Sequence, residues 1–437
     1  MPPPRPERTG KEIPMTRLVP PLLRRLDRRN WHAFAGTWIG WTLDGFDFLV
    51  IAFVLSSIAD EFDISLASAT TLVSAAFVSR WLGAAVLGSV ADRIGRKKTM
   101  IIGIVIYSVA TMMCGFAWDY WSLLVFRLIV GFGMAGEYGA GSALLMESWP
   151  ERDRRKASGL LMSGWAMAGI VASLAYVLIV PAFGWRAIFF IGIIPAASAV
   201  YVRLKVDESS EWLQQKEQGR TKRISVFEIF RTRWLAPFVL LTIVEAGIFL
   251  SNYPVLSLMP TFLKSQGYTP ELVSALMLVG SFGYFVGCCG SGFLADKIGY
   301  RWAFPTMMLT SVVFILPVFF TTTSTVALGG LIWLVEVTNL GAAGLVVGYV
   351  TSYFAPEVRA AALGMTHNVG SLGGAIAPVI STVLATSIGL GPAIAVVMLG
   401  SALLVTLVTG LNLPDRALAW AEQRSDRDDT LAREAIS

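Results

Sequence analysis

Two aspartates three residues apart, Asp44 and Asp47, stand near the middle of an apolar run at 33–57 that is long enough to cross a bilayer. An ionised aspartate at the centre of a membrane helix costs about 2.5–3.5 kcal/mol on insertion scales, and a spacing of i, i+3 puts both carboxylates on one helix face. Burial and a like charge one turn away both favour the protonated acid. The chemistry such a pair suits is reversible proton uptake as a cavity opens to one side of the membrane and then the other. The competing account is a structural pair, neutralised by protonation or by an arginine on a neighbouring helix.

Other polar residues fall inside apolar runs. Arg80 and Arg127 carry planar guanidinium groups that grip a carboxylate at two points. They suit substrate anchors or ion-pair partners for Asp44, Asp47 or Glu137. Glu137 follows Arg127 by ten residues in the same run, as part of a proton path or as an arginine's partner. Glu336 and Asn339, at i, i+3, are placed to line a cavity, and Glu245 is a weaker candidate. His367 and Asn368 open a glycine run, where His367 is a polar contact or a proton carrier and Gly370, Gly373 and Gly374 permit close helix packing. The expected proton-coupling residues are therefore Asp44, Asp47 and Glu137. The expected substrate contacts are Arg80, Arg127, Glu336, Asn339, His367 and Asn368.

Positioning these residues takes a membrane protein. Hydrophobic residues make up 55% and charged residues 15% of the 437, with a mean hydropathy of +0.63, against a soluble norm of about half apolar and a quarter charged. The net charge of +5 is not a nucleic-acid signature. All Lys and Arg except Arg80, Arg127, Arg186 and Lys264 fall on alternate connections, while the 58–66 connection carries Asp60, Glu61 and Asp63 without a base. By the positive-inside rule both termini are cytoplasmic. Cys114, Cys288 and Cys289 all lie in apolar runs, which implies neither a disulfide framework nor a metal site. The first thirty residues are Pro- and Arg-rich without an apolar core, so the first span rather than a cleaved leader is the expected insertion signal.

The apolar runs predict twelve spans, near 33–57, 67–90, 99–117, 121–143, 157–181 and 187–202, then 235–260, 270–294, 302–320, 327–350, 360–384 and 390–412. This gives an all-α polytopic protein: a tail at 1–30, a six-helix bundle at 31–202, a linker at 203–234, a second six-helix bundle at 235–412 and a tail at 413–437. Within the linker, 225–230 reads as a short interfacial helix. The second half repeats the first. Gly88-Ser89-Val90-Ala91-Asp92-Arg93-Ile94-Gly95-Arg96-Lys97-Lys98 returns 204 residues later as Gly292-Phe293-Leu294-Ala295-Asp296-Lys297-Ile298-Gly299-Tyr300-Arg301, and Pro150-Glu151 returns as Pro356-Glu357. Each copy of the loop joins the second and third spans of its half and each Pro-Glu follows the fourth, as expected of an internal six-span repeat.

The loop Gly88 to Lys98 resembles the signature loop of the major facilitator superfamily. Arg127-Leu128-Ile129-Val130-Gly131-Phe132-Gly133 is similar to that family's fourth-span Arg motif, and Asp207-Glu208-Ser209-Ser210-Glu211-Trp212-Leu213 to a degraded sugar-porter motif after span six. A narrower likeness, to bacterial symporters of sialic acid and related acidic sugars, is carried by Gly133-Met134-Ala135-Gly136-Glu137-Tyr138-Gly139, by Glu147-Ser148-Trp149-Pro150 and by the run from His367 to Pro378. Asp44-Gly45-Phe46-Asp47 is shared with aromatic acid symporters as well. This chain departs from the sialic acid transporters in lacking room for two extra central spans and in having His367 where a Tyr is usual. The resemblance implies a gating role for Gly88, Asp92, Arg93, Gly95 and Arg96 and for Asp296, Lys297, Gly299 and Arg301, tying the halves together on the cytoplasmic side in one state. The alternative is a topogenic charge cluster.

The function expected is proton-coupled import of an organic anion, a sialic acid or related acidic sugar, across a bacterial inner membrane, with an aromatic or other small carboxylic acid as the alternative. Partners are the anion, protons and the lipid bilayer, with no nucleic acid, and the chain is expected to work as a monomer. One proton carried with a monovalent anion moves no net charge, whereas a second makes the cycle electrogenic and gains about 2.3 kcal/mol per 100 mV. Span five runs Gly164-Trp165-Ala166-Met167-Ala168-Gly169 and lacks the family's antiporter pattern, Gly-Pro-x-x-Gly-Gly. No nucleophile–base pair, metal-ligand spacing or phosphate loop is present, so neither an enzyme nor a cofactor is expected.

Overall fold

The computed structural model describes residues 26–64, 66–217, 234–320, 324–355, 358–421 and 423. The expected interfacial helix at 225–230 and the repeated Pro356-Glu357 lie outside the described residues.

The first half is built from α1 (Arg28–Glu61), α2 (Leu66–Ile94), α3 (Arg96–Cys114), α4 (Tyr120–Ser148), α5 (Arg154–Phe183) and a sixth span made of α6 (Trp185–Phe190) and α7 (Ile194–Lys205). A short surface helix, α8 (Ser210–Glu217), follows. The second half comprises α9 (Leu235–Ser265), α10 (Pro270–Ile298), α11 (Tyr300–Phe320), a tenth span of α12 (Thr325–Thr338) and α13 (Val346–Thr351), an eleventh of α14 (Arg359–Gly370) and α15 (Leu372–Ile388), and α16 (Leu390–Gly410). Nine of these stretches are long and apolar enough to cross a membrane by length and composition alone. With α1, α2 and the broken sixth span they make a twelve-span, all-α protein. In lipid each helix satisfies its own backbone, so the spans need no partner for their peptide groups and associate through side-chain packing.

Local chemistry sets the helix ends. Asp27 and Asn30 form a reciprocal capping box at the start of α1, as do Asp119 and Ser122 at the start of α4. Gly95, between α2 and α3, has φ +106°, and its repeat counterpart Gly299, between α10 and α11, has φ +74°. Only glycine adopts such a corner without strain, so the repeat shows in the backbone as well as in the letters.

Three of the expected spans are interrupted. The tenth passes through a 3-10 turn at Leu340–Leu345, where Gly341 lies against Gly287 of α10 and Ser158 of α5 donates to the Gly344 carbonyl at 2.6 Å. The eleventh breaks at Ser371 inside its glycine run, and the sixth at Ile191–Ile193 just before Pro195. In each case small or imino residues permit a departure from the α-helix that tertiary contacts then use.

Within the first half α4 packs on α2 and α3, and α1 on α5; within the second α10 packs on α12, and α16 on α9 and α11. Between the halves α5 meets α10, and α2 meets α14. These crossings are close because their residues are small. A methyl group on Gly88 would lie 3.1 Å from Ala361 Cα, and one on Gly159 would lie 3.0 Å from the Gly292 nitrogen. The outer surface shows Trp81, Leu82, Leu178, Val313, Val383 and Leu407, the apolar belt that a bilayer covers.

Candidate functional site

Each span-one aspartate has its own arginine. Asp44 accepts from Arg80 of α2 at 2.7 Å, and Asp47 accepts from Arg127 of α4 at 3.3 Å, with all four side chains fully or almost fully buried. The i, i+3 spacing that places both carboxylates on one face of α1 also separates them along the axis, so one meets α2 and the other α4. Buried charges persist only when paired. The Arg80 guanidinium carbon also lies 5.9 Å from the Trp165 ring centroid, within cation–π range.

Arg80 lies on the wall of a cavity between the halves. Trp41, Met162 and Trp165 complete the first-half side, while Glu245, Phe249, Asn252, Tyr253, Tyr284 and His367 are among the second-half residues. The cavity has a volume of about 30 Å3. That is room for about two waters, so side chains must withdraw before a larger solute enters. Across from Arg80, His367 Nδ1 is 2.6 Å from Glu245 Oε1, and the His367 ring stacks on Tyr138 at 3.8 Å between centroids. Trp41 and Phe249 approach the same imidazole edge-on, at 5.6 and 5.2 Å.

The remaining candidates fall elsewhere. Glu137 is buried beside Gly40 and Gly141 and lines a small apolar void with Thr37, Trp41 and Tyr138. It shares Trp41 with the main cavity. Glu336 packs against Gly280 of α10, and neither of its carboxylate oxygens has a hydrogen-bond partner among the described residues. Asn339 binds Ser251 and Ser311 through its amide nitrogen, at 2.7 and 3.1 Å, and thereby ties α12 to α9 and α11. Asn368 donates to Gly364 O within its own helix at 2.6 Å. Glu137, Glu336, Asn339, Asn368 and Arg127 are thus outside the main cavity's lining. Among the described residues no cluster of His, Cys, Asp or Glu is placed to hold a metal ion.

The face bearing the repeated loops is closed. Lys156 at the start of α5 bonds Asp296 of α10 at 2.8 Å and Asp153 at 3.1 Å. Ser158 spans the halves, donating to Gly344 O and accepting from Gly348 N at 2.9 Å. Glu147, buried at the end of α4, takes Arg96 of the first loop at 3.5 Å, Arg359 of α14 at 3.7 Å and the Ser209 hydroxyl. Glu208 accepts from the backbone nitrogens of Arg96 and Lys97 at 2.9 and 3.2 Å, a carboxylate at the positive end of α3. Asp92 lies in α2, with its side chain outside the described set. Gly88 is the point of contact with Ala361. Arg93 and Lys297 are exposed, and Arg301 donates to Gly410 O at 3.2 Å within its own half.

The sequence reading ranked Glu245 low and did not pair it with His367. The two are 122 positions apart, and no periodicity links them. The signal available was the α9 stripe, since Glu245, Phe249, Asn252 and Leu256 recur at helical spacing and share one face.

The family model of the Major Facilitator Superfamily matches residues 37–334 and 241–430. The sialic acid transporter NanX of Escherichia coli is 35% identical over 88% of this chain and 94% of its own length. A probable 4-methylmuconolactone transporter of Cupriavidus pinatubonensis is 30% identical over 82% of this chain and 85% of its own. Among solved structures, the proton:xylose symporter XylE superposes with a TM-score of 0.71 over 87% of this chain and 94% of its own, at 15% identity. That likeness speaks to the fold.

Proposed function

The chain belongs to the Major Facilitator Superfamily, and on that premise we propose that it is a proton-coupled symporter importing an organic anion, a sialic acid or related acidic sugar, by alternating access. The observation that carries this reading is the position of Arg80, on the cavity wall and ion-paired with Asp44. An entering carboxylate competes with Asp44 for the guanidinium. Once Arg80 turns to the substrate, Asp44 is left as a buried, uncompensated charge and takes up a proton. Substrate and proton are thereby bound together, and either alone leaves a buried charge unpaired. Asp47 and Arg127 repeat the arrangement away from the cavity and provide a second acid for a two-proton cycle, with Glu137 as a station beyond Trp41.

Alternating access follows from rocking of the 31–202 bundle against the 235–412 bundle around this site. On this reading the loop face and both termini are cytoplasmic, in keeping with the basic connections, and the closed face is the inner one. Opening it breaks Lys156–Asp296, Ser158–Gly344 and Glu147–Arg359. The chain is taken to act as a monomer.

A second reading, an aromatic or other small carboxylic acid by the same cycle, is favoured by the aromatic lining of Trp41, Trp165, Phe249, Tyr253 and Tyr284. The experiment is substrate-induced alkalinisation in vesicles containing the protein, screened across sialic acids, sugar acids, aromatic acids and neutral sugars. Movement of acids with protons supports the proposal; movement of neutral solutes only rejects Arg80 as an anion anchor.

A further inference from the structure

The cavity has a second pole. On α9, Glu245 and Asn252 stand at i, i+7 on the face that lines the cavity, and both side chains are buried. Glu245 Oε1 is held by His367, whereas Oε2 has no hydrogen-bond partner among the described residues. The same is true of Asn252 Oδ1. Two buried acceptors on one wall of a cavity, without donors, are costly unless something that enters supplies the donors. The arrangement around Glu245 also fixes its aim. His367 is clamped between Tyr138, Trp41 and Phe249 and holds Oε1, and Gly370 leaves space for the glutamate stem, since a methyl there would lie 2.5 Å from Glu245 Cγ.

We infer that Glu245 and Asn252 form a donor-binding subsite that selects acids bearing hydroxyl or amide N–H groups over plain carboxylic acids. The inference rests on the anion-symport reading and deepens it. Arg80 on the first half takes the substrate carboxylate, and the α9 acceptors on the second half take the hydrogen-bond donors at its other end. A hydroxylated acid bridges the halves. A plain acid such as benzoate fills the aromatic space but leaves a carboxylate oxygen and an amide oxygen unsatisfied beside its own negative charge. A site built to accept hydrogen bonds rejects an analogue that lacks the donors. The aromatic rings then serve as stacking walls for a sugar ring, and the donor pole decides between sugar acids and simple aromatic acids.

The test is substrate-induced alkalinisation in vesicles with three probes, N-acetylneuraminate, glucuronate and benzoate, on wild type, Glu245→Gln and Asn252→Leu. Wild type is expected to take at least one hydroxylated acid with a KM about 10- to 100-fold below that of benzoate, the range of a charge-assisted hydrogen bond. Glu245→Gln keeps an oxygen for His367 but turns a donor toward the cavity. It is expected to raise the hydroxylated acid's KM about tenfold or more while lowering that of benzoate, which no longer meets an unsatisfied carboxylate. Asn252→Leu shifts the ratio in the same direction, so that either variant carries the comparison if the other does not fold. Preference of wild type for benzoate, or an equal change for both acids in the variants, overturns the subsite and leaves anion symport standing. Failure of every acid to move protons removes anion symport and the subsite with it.

Discussion

Replacing Asp44 by Asn leaves the Arg80 guanidinium buried without a counter-charge, because only about 1% of its surface is exposed and its bonded carboxylate oxygen lies at 2.7 Å. Breaking a buried pair from one side costs about 3–5 kcal/mol, far more than the pair adds over a neutral replacement, since the penalty is that of the orphaned charge. Arg80→Gln should cost a similar amount by stranding Asp44, less whatever a proton on the acid recovers. The double variant Asp44→Asn/Arg80→Gln strands nothing, so its loss should be well below the sum of the singles, with a coupling energy of about 3 kcal/mol or more. The assay is reversible unfolding of the four proteins in mixed micelles at pH 7.5. It should be repeated at pH 5, where protonation of Asp44 in Arg80→Gln narrows the gap between that single and the double. Additive losses would refute the claim that these residues form a functional ion pair in the resting state.

Three further outcomes follow from the geometry. Ser158→Ala with Asp296→Ala removes two ties across the loop face, each worth about 1 kcal/mol; the equilibrium should move some ten- to thirtyfold toward the state open on that face, read as lengthened spin-label distances between Arg93→Cys and Lys297→Cys. Gly95→Ala should destabilise by more than Gly299→Ala in thermal unfolding, because both strain a positive φ at about 1–3 kcal/mol but only the Gly95 methyl meets a neighbour, the Glu208 carboxyl carbon at 2.8 Å. Glu61, past the apolar run at the C-terminal end of α1, bonds Arg186 and Trp185, and the Arg186 bond foremost holds its carboxyl below its ordinary range against the opposing effect of burial. A carboxylate with a depressed pKa stabilises the fold above its unfolded value and loses that contribution as pH falls through the folded one. The clamp is therefore intact from pH 5.5 to 8, and Glu61→Gln should leave the shape of the uptake profile over that window unchanged.

The twelve spans and the doubled plan were legible because hydropathy and a repeated loop are properties of the chain read in order. The anomaly at Asp44 and Asp47 was legible for the same reason, as two charges in an apolar run. Which arginine meets which aspartate was not, because it depends on the rotation of α2 and α4 about their axes, and sequence spacing is blind to that between helices. Glu336 and Asn339 illustrate the limit from the other side. Their i, i+3 spacing puts them on one face of α12, yet that face turns to α10 in one case and to α9 and α11 in the other, rather than to the cavity. Glu245 was underrated because a single acid in an apolar helix looks alike whether it faces a neighbour or a void. Glu208 was seen as part of a motif, but its bond to the start of α3 required the fold to bring residues 96 and 208 together.

On the reading proposed above, a substrate anion displaces Asp44 from Arg80 and Asp44 takes up a proton. The most direct test of that reading is the ratio of proton flux to labelled-acid flux, measured on the same vesicles at zero membrane potential. Wild type should show proton entry that requires the acid, and Asp44→Asn should exchange labelled for unlabelled acid while a pH gradient drives no accumulation. Acid accumulation by wild type without proton movement would contradict it, as would an unchanged flux ratio in Asp44→Asn.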